Sequence, residues 1–248
     1  MSQTPDRFFN EAAFARLYDA ICETAGREDY DFYLPHILAA GSVLDIGCGT
    51  GTILEEARAA GHTGRLTGID PADGMMEIAR QKLDIDWVCG FLETQNWEDQ
   101  FDLAVMTGHA FQVLIGNEQI ASFLAAVHAA LKPGGRFAFE TRNPGARAWD
   151  NWTGNKAKQI TVDNTQYTDR REVIRPFDGQ TVTFTHTFNS PDWPEPQVST
   201  STLRFLSADA LNAALTNAGF SIQSQYGDWD GSPVTDTSPE IITIAAKA

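Results

Sequence analysis

Residues 43–51, which read VLDIGCGTG, decide the fold of this chain. Apolar residues on both sides of Asp45 lead into glycines at alternate positions, Gly47, Gly49 and Gly51. Apolar runs of this kind form buried strands, and glycine permits a sharp turn and a close approach of a ligand to the backbone. The stretch therefore predicts a strand, a turn and a helix whose free N–H groups attract negative charge.

The residues around this stretch alternate between strand-like and helical patterns. Predicted strands cover residues 43–46, 65–69, 85–88, 101–106 and 136–140. Predicted helices cover residues 52–60, 73–82 and 118–131, and Asp73 is expected to cap the second. Repeated alternation with apolar strands predicts a parallel sheet that is covered by helices on both faces.

The pattern changes after Thr141. Four strand-like runs follow, at residues 159–162, 167–174, 180–188 and 198–205, and Asp178-Gly179 is a hairpin turn signal. A helix at 208–218 and strands at 220–226 and 241–245 then complete the chain. These patterns predict an antiparallel β insertion on the parallel sheet.

The N-terminal segment is predicted to be helical over residues 7–40, with Pro35 breaking its second part. We expect residues 1–40 to form a helical lid or a helix pair that merely packs on the sheet. Residues 41–141 and 207–248 then form a cofactor-binding α/β domain, and residues 142–206 form a substrate cover.

A second short strand, LTGID, ends in Asp70. A dinucleotide site uses the spacing Gly-x-Gly-x-x-Gly, but here Thr52 occupies the place of the last glycine. The carboxylate of Asp45 would repel a pyrophosphate and would suit an ammonium group. S-adenosylmethionine carries such an ammonium, with a carboxylate for the helix end and ribose hydroxyls for Asp70. The residues therefore favour S-adenosylmethionine as the cofactor.

Four segments, VLDIGCGTG, GIDPADGMMEIAR, FDLAVMTGHAFQVL and LKPGGRFAFETRNP, resemble class I S-adenosylmethionine-dependent methyltransferases over about residues 40–145. The closing pattern, a helix and then a long hairpin that ends in PEIITIAAK, is similar to the last two strands of that family. The resemblance implies an α/β fold with a Rossmann-like seven-stranded sheet and helices on both faces. In that family the last strand of the sheet is antiparallel to the others. The antiparallel insertion predicted above would follow strand five of this sheet.

The resemblance also implies a cofactor site. The methionine end would lie near Asp45 and the glycines, the ribose at Asp70 and the adenine near Pro71, Ala72 and Met75. The acid that the family often has after strand three is replaced by Cys89-Gly90-Phe91, so Phe91 or Glu93 would serve the adenine. The predicted cofactor residues are Asp45, Gly47, Cys48, Gly49, Gly51, Asp70, Pro71, Met75, Phe91 and Thr107.

Candidate catalytic residues follow strands four and five, because ligands bind beyond the carboxyl ends of parallel strands. His109 is a candidate general base or substrate contact, or a loop histidine with a structural role. Glu140 either faces the pocket or is a structural carboxylate that pairs with Arg142 or another cation.

Candidate substrate contacts lie in the insertion. Val182, Phe184, His186 and Phe188 share one face of a strand, so His186 either packs beneath the insertion or points into a substrate cavity. Trp149 could add an aromatic wall. Arg142 belongs to a group of arginines that could hold an acidic substrate, although solvation at the surface is favoured; the others are Arg147, Arg170, Arg171 and Arg175.

The net charge of −15 argues against binding to nucleic acid, which needs clustered cations. Three cysteines without a Cys-x-x-Cys pair predict neither a disulfide framework nor a metal site, and no apolar run predicts a signal peptide or membrane span. We therefore predict a cytoplasmic, small-molecule methyltransferase, a monomer or homodimer. The alternatives are a regulatory protein that binds S-adenosylmethionine without catalysis and a nicotinamide-dependent oxidoreductase.

Overall fold

The structure, a computed structural model, describes residues 5–25, 27–154 and 157–248. Within these residues there are two sheets, and helices surround the larger one. The strands are β1 (Ser42–Ile46), β2 (Arg65–Asp70), β3 (Asp86–Cys89), β4 (Phe101–Met106), β5 (Leu131–Arg142), β6 (Lys158–Val162), β7 (Thr165–Arg175), β8 (Thr181–Asn189), β9 (Gln197–Arg204), β10 (Phe220–Tyr226) and β11 (Glu240–Lys247). The helices are α1 (Arg7–Asn10), α2 (Ala12–Ala25), α3 (Glu28–Leu38), α4 (Thr52–Ala59), α5 (Asp73–Ala79), α6 (Asn117–Ala130) and α7 (Ala208–Asn217).

The larger sheet has seven strands in the order β10-β11-β5-β4-β1-β2-β3. Strand β1 pairs in parallel with β2 and β4, whereas β11 runs antiparallel to β5 and β10. The predicted seven-stranded sheet with an antiparallel last strand is confirmed. Its topology brings the ends of β1, β2, β4 and β5, and the beginning of β11, to one edge.

Both faces of this sheet are covered. Leu44 and Ile46 of β1 belong to the core beneath α6 and α7. Val43, on the opposite face, packs with Tyr33 of α3 and Leu54 of α4. Because β1 lies between two apolar layers, its near-continuous apolar sequence suits a central parallel strand. The predicted layers of helix, sheet and helix are confirmed.

The insertion forms a four-stranded antiparallel sheet in the order β6-β7-β8-β9. Asp178 makes the turn before β8, where its carboxylate accepts hydrogen bonds from the backbone N–H groups of Gln180 and Thr181. Alternate residues Val182, Phe184, His186 and Phe188 of β8 are all buried. The predicted insertion and its apolar face are confirmed.

Two local predictions are wrong. Helix α3 continues through Pro35 to Leu38, although proline has no N–H to donate to the carbonyl of Asp31. Burial of Tyr33 and Ile37 against the sheet stabilises the helix despite this loss.

Asp73 is not a cap. It is the first residue of α5, and the cap position is Ala72, whose N–H donates instead to the carboxylate of Asp70 at 2.8 Å. In the first turn, the carboxylate of Asp73 still suits the positive end of the helix dipole.

None of the helices in the described parts of the chain combines the length and apolar character needed to cross a bilayer.

Candidate cofactor and active site

The glycine loop between β1 and α4 is anchored to β2, because the N–H groups of Gly47 and Cys48 both donate to the carbonyl of Ile69. Gly51 precedes α4 with φ of 80°, a conformation that favours glycine. A Cβ at Gly51 would come within 2.1 Å of the ring of Trp87. Packing as well as backbone conformation therefore requires a glycine at this position.

Asp45 is a buried carboxylate without a partner at the end of β1. Its side chain is almost fully buried, and neither carboxylate oxygen has a hydrogen-bond partner among the described residues. Burial, with the nearby charge of Asp70, raises the pKa of Asp45 to about 7. An unpaired buried carboxylate is costly, so this position is suited to a cationic ligand.

Asp70 lies at the end of β2 beside the glycine loop. One carboxylate oxygen accepts from the N–H of Gly49 at 2.9 Å, and the other accepts from the N–H of Ala72 at 2.8 Å. Burial raises the pKa of Asp70, although these two bonds oppose that shift. The bonds fix the carboxylate at the loop, where a ligand's hydroxyl groups could reach it.

The other predicted cofactor residues lie in helix α5 or in the loops that follow β1, β2, β3 and β4. Met75 lies beside Gly49, with its Sδ 3.9 Å from the position of a Cβ there. Phe91 follows β3 and is half-buried, next to Gly90, whose N–H donates to the carbonyl of Asp70. Pro71 follows β2 and Thr107 follows β4, and both are half-buried. The side chain of Cys48 instead packs with Met76, Ala79 and Trp87.

Helices α1 and α2 cover this site. The N–H of Asp73 donates to the side chain of Asn10, and a Cβ at Gly74 would come within 2.6 Å of the backbone of Glu11. The hydroxyl of Thr50, in the glycine loop, donates to Asp19 of α2 at 2.7 Å. These contacts place the N-terminal helices directly over α5 and the glycine loop.

The N-terminal helices also contact the insertion. The carboxylate of Asp6 accepts hydrogen bonds from the hydroxyls of Ser199 and Ser201 in β9. The ring of Phe8 stacks on His186 and Phe188 of β8, with centroid distances of 5.4 and 4.9 Å. The predicted lid segment therefore lies between the α/β domain and the insertion; its residues 1–4 and 26 lie outside the described residues.

Glu140 is fully buried, and its partners come from two other elements. Its carboxylate accepts from the hydroxyl of Tyr33 at 2.5 Å and from the backbone N–H of His109 at 2.6 Å. Burial raises the pKa of Glu140. Burial and the charge of Glu140 raise the pKa of Tyr33 well above its usual value, so Tyr33 remains a donor. Of the sequence alternatives, these bonds support a structural carboxylate, although its partner is Tyr33 rather than Arg142.

His109 lies beyond β4 with φ of 62°, and its Nε2 is 2.9 Å from a carboxylate oxygen of Glu240. Burial, with the nearby charge of Arg142, lowers the pKa of His109 to about 3. Burial raises the pKa of Glu240 to about 8. Both shifts favour the uncharged forms of the two side chains at neutral pH, and an uncharged carboxyl group would donate its proton to Nε2 of His109.

Comparison with known proteins agrees with this geometry. Residues 43–135 match a protein family described as "Methyltransferase domain". The matched stretch contains the glycine loop, Asp45, Asp70 and His109. Residues 43–135 therefore carry a methyltransferase domain.

Curated and solved proteins resemble this chain to different extents. A "Ubiquinone biosynthesis O-methyltransferase" from Methylobacterium sp. (strain 4-46) is 32% identical over 147 residues, which are 57% of this chain and 55% of that protein. The alignment with this curated relative therefore spans only about half of its length.

Two solved structures share the fold over nearly the whole chain. An S-adenosylmethionine-dependent methyltransferase from Clostridium acetobutylicum has a TM-score of 0.73, with 18% identity and coverage of 94% of this chain and 97% of that one. The amino pentose methyltransferase CalS10 from Micromonospora echinaspora, solved with S-adenosylmethionine bound, has a TM-score of 0.70, with 20% identity and coverage of 94% and 97%. These matches confirm the predicted fold.

The predicted substrate residues lie in two places: Arg142 and His186 are close to Arg171, and Trp149 is farther along the insertion. Arg142 ends β5, and its Nη1 donates to the side-chain oxygen of Gln112 at 3.0 Å. His186 accepts at Nε2 from Nε of Arg171 at 3.2 Å, so its Nδ1 carries the proton that is donated to Asp169 at 2.8 Å. Arg142 and His186 are connected through Arg171, which donates to His186 and shares the ring of Trp152 with Arg142.

Trp149 lies farther along the insertion. Its ring stacks on Phe177 at a centroid distance of 4.4 Å and meets Phe205 edge-on at 4.6 Å. These contacts give Trp149 a packing role in the aromatic core of the insertion. Contact of Trp149 with a substrate remains a prediction.

Sequence reasoning did not identify Glu240, Gln112 or Asp169. A signal for Glu240 was present, because the first residue of an antiparallel last strand must lie at the carboxyl edge of the parallel strands, here opposite Arg142. The surface role expected for the arginines is confirmed for the exposed Arg147, Arg170 and Arg175. It is wrong for Arg142 and Arg171, which are half-buried because they lie between the two sheets.

Proposed function

We propose that this protein transfers a methyl group from S-adenosylmethionine to a small-molecule acceptor. The observation that carries the proposal is the unpaired, buried carboxylate of Asp45 beside a glycine loop. An ammonium group placed there would stabilise the ionised carboxylate, which in the free protein has no partner among the described residues.

The surrounding residues fit the remaining parts of this cofactor. Asp70, held by two backbone N–H groups, would bind the ribose hydroxyls. Gly47, Gly49 and Gly51 let the backbone approach the methionine end. Pro71 would lie against the adenine, and the other proposed contacts near the nucleoside and methionine are Cys48, Met75, Phe91 and Thr107.

The bound cofactor supplies an electrophilic methyl group on a sulfonium, whose carbon–sulfur bond breaks as the bond to the acceptor forms. Residues 1–40 would act as a lid, and residues 142–206 would cover the acceptor and exclude water. His109 would remove the acceptor's proton, and Glu140 would hold the His109 loop through the backbone bond at 2.6 Å.

The state of Glu240 controls whether His109 can be this base. While Glu240 is neutral, it donates to Nε2, and the imidazole proton is on Nδ1. Once Glu240 is ionised, Nε2–H can donate to it, which leaves Nδ1 free to accept a proton. A pKa of about 8 for Glu240 therefore makes the base available in mildly alkaline solution.

We further propose that the acceptor contacts Arg142, His186 and Trp149. The net charge of −15 supports a small acceptor rather than nucleic acid. The same proposal includes a cytoplasmic location and a monomeric or homodimeric state. It includes neither a metal ion nor a membrane partner.

Calorimetric titration with S-adenosylmethionine, S-adenosylhomocysteine and NAD tests the cofactor. We expect saturable binding of the first two and none of NAD; the reverse would favour an oxidoreductase. Release of S-adenosylhomocysteine on incubation with pooled metabolites tests catalysis. Binding without turnover across such pools would favour a regulatory protein.

A further inference from the structure

Two guanidinium groups face the same aromatic ring between the sheets. The Cζ of Arg142 lies 5.6 Å from the ring centroid of Trp152, and the Cζ of Arg171 lies 5.2 Å from it. Arg142 comes from the end of β5 in the α/β domain, and Arg171 comes from β7 in the insertion. The two charges therefore meet where the two parts of the molecule face each other.

Neither guanidinium forms an ion pair with a carboxylate of the residues that the structure describes. Across residues 5–25, 27–154 and 157–248, no ion pair within 4.0 Å includes Arg142 or Arg171. The charge of Asp169 acts on the pKa of Arg171, but the carboxylate of Asp169 is hydrogen-bonded to His186 instead. Burial lowers the pKa of Arg142 to about 10; the charge of Glu240 opposes this shift, and the charge of Arg171 adds to it more weakly.

Both side chains are held in position while most of their donors remain available. Gln112 accepts from Nη1 of Arg142, and its own amide donates to the backbone carbonyl of Arg204 at 2.9 Å. Nε of Arg171 donates to His186. No bond among the described residues uses Nη2 of Arg142 or either Nη group of Arg171. A pair of fixed guanidiniums with free forks is suited to a planar or tetrahedral anion.

The location of this pair connects it to the reacting end of the site. Arg142 is opposite Glu240 in the pairing of β5 with β11, and Glu240 bonds to His109. The charge of Arg142 also contributes to lowering the pKa of His109. A group bound by Arg142 would therefore belong to a molecule whose other end can reach the proposed base.

We propose that Arg142 and Arg171 together bind a carboxylate or phosphate group of the methyl acceptor, which makes the acceptor a small anionic molecule. This inference rests on the proposed function and narrows its substrate class. Trp152 supports both guanidiniums through cation–π contacts and excludes water from one side of the anion.

The test uses the full chain loaded with S-adenosylhomocysteine, so that the cofactor's own carboxylate is already placed. Inorganic phosphate, acetate and the neutral acetamide are titrated by calorimetry at constant ionic strength. We expect saturable binding of phosphate, acetate or both, and none of acetamide. Binding of phosphate alone would identify a phosphate-bearing acceptor, and binding of acetate alone would identify a carboxylate.

Variants assign the binding to this pair. Arg171→Gln and Arg142→Gln should each lower the affinity for the anion by about 10-fold or more, because a charged bidentate contact is lost. Arg171→Lys and Arg142→Lys keep the positive charge and the aliphatic part of the side chain, and they should lower the affinity for the anion less. Arg170→Gln is the matched control, since Arg170 lies on the same strand but is exposed on its other face.

The outcomes separate the two proposals. Failure of the wild-type protein to bind S-adenosylhomocysteine would contradict the proposed function. Intact binding of S-adenosylhomocysteine without saturable anion binding would overturn this inference alone. The inference would also be overturned if Arg170→Gln lowered the affinity for the anion as much as Arg171→Gln does. It would likewise be overturned if Arg142→Gln lowered the affinities for S-adenosylhomocysteine and for the anion equally.

Discussion

The glycine-loop half of the site and the insertion half are built in different ways. The proposed cofactor residues up to Phe91 come from three consecutive strand ends, and they present backbone N–H groups and two carboxylates. The proposed acceptor residues come from distant parts of the chain, and they present guanidiniums, a histidine and aromatic rings. The difference teaches that one half is specified by a local pattern and the other by packing between the two sheets.

The largest effect on this comparison is expected from His109→Ala. If His109 is the base, turnover should fall by about 100-fold or more, whereas affinity for S-adenosylhomocysteine should change little. Steady-state kinetics and calorimetry separate the two. His128→Gln is the control, because His128 is in the last turn of α6, near the opposite end of the sheet. Unchanged turnover in His109→Ala would remove this residue from the mechanism.

Asp45→Asn tests the glycine-loop half directly. The variant keeps the shape of the side chain but loses its charge, so affinity for S-adenosylmethionine should fall by about 100-fold. Calorimetry measures the loss. Asp102→Asn is the control, because Asp102 is the second residue of β4 and pairs with Lys132. This variant should bind S-adenosylmethionine normally. Equal affinities for both variants would mean that Asp45 does not hold the ammonium.

The same variant predicts a pH effect on the protein without cofactor. The pKa of Asp45 is about 7 in the folded protein against 3.8 for the free side chain, so the folded state binds more protons between these values. The free energy of unfolding should therefore fall as pH rises from about 4 to about 7. Asp45→Asn should lack this contribution and be more stable than the wild type above pH 7, by on the order of 4 kcal/mol. Urea unfolding at several pH values measures the difference, and parallel pH profiles for the two proteins would contradict it.

Gly74→Val separates the lid from the loop. A side chain at Gly74 would clash with the backbone at Glu11 and Ala12, so the N-terminal helices should lift from α5. We expect about 10-fold weaker cofactor binding and faster proteolysis within residues 5–25. Gly116→Ala, where a Cβ meets only ordinary contacts near Gln119, is the control. Normal affinity together with rapid proteolysis would show that the helices are not a lid for the cofactor.

Glu240→Gln should have the smallest effect. Glutamine keeps a hydrogen-bond partner for His109, so stability should change by no more than about 1 kcal/mol. In the wild-type protein, turnover should rise as pH approaches about 8, because ionised Glu240 leaves Nδ1 of His109 free as a base. The variant should lose this rise. A rise that persisted in Glu240→Gln would assign it to another group.

Much of the fold could be predicted because its signals are local. The alternation of apolar strands with helices, the glycine loop and Asp178-Gly179 each act within a few residues, and the structure confirms them. The errors at Pro35 and Asp73 arose because local signals were followed there too. In each case, contacts from outside the local segment, burial against the sheet or the carboxylate of Asp70, outweighed the local preference.

The candidate site was less predictable where its partners come from distant segments. Nothing near Glu140 in the sequence indicates that Tyr33 of α3 would be its donor. The exposure of Arg170 and the burial of Arg171 depend on which face of β7 meets the α/β domain.

The sequence by itself determined the seven-stranded fold and the identity of the two carboxylates beside the glycine loop, because strand periodicity and backbone turns are encoded over short distances. Only the tertiary structure decided that Asp45 has no hydrogen-bond partner in the described part of the chain, that Glu240 pairs with His109 and that Arg142 and Arg171 face one ring. These features depend on side chains from separate elements that meet when the sheets pack together, and burial then changes their charge states.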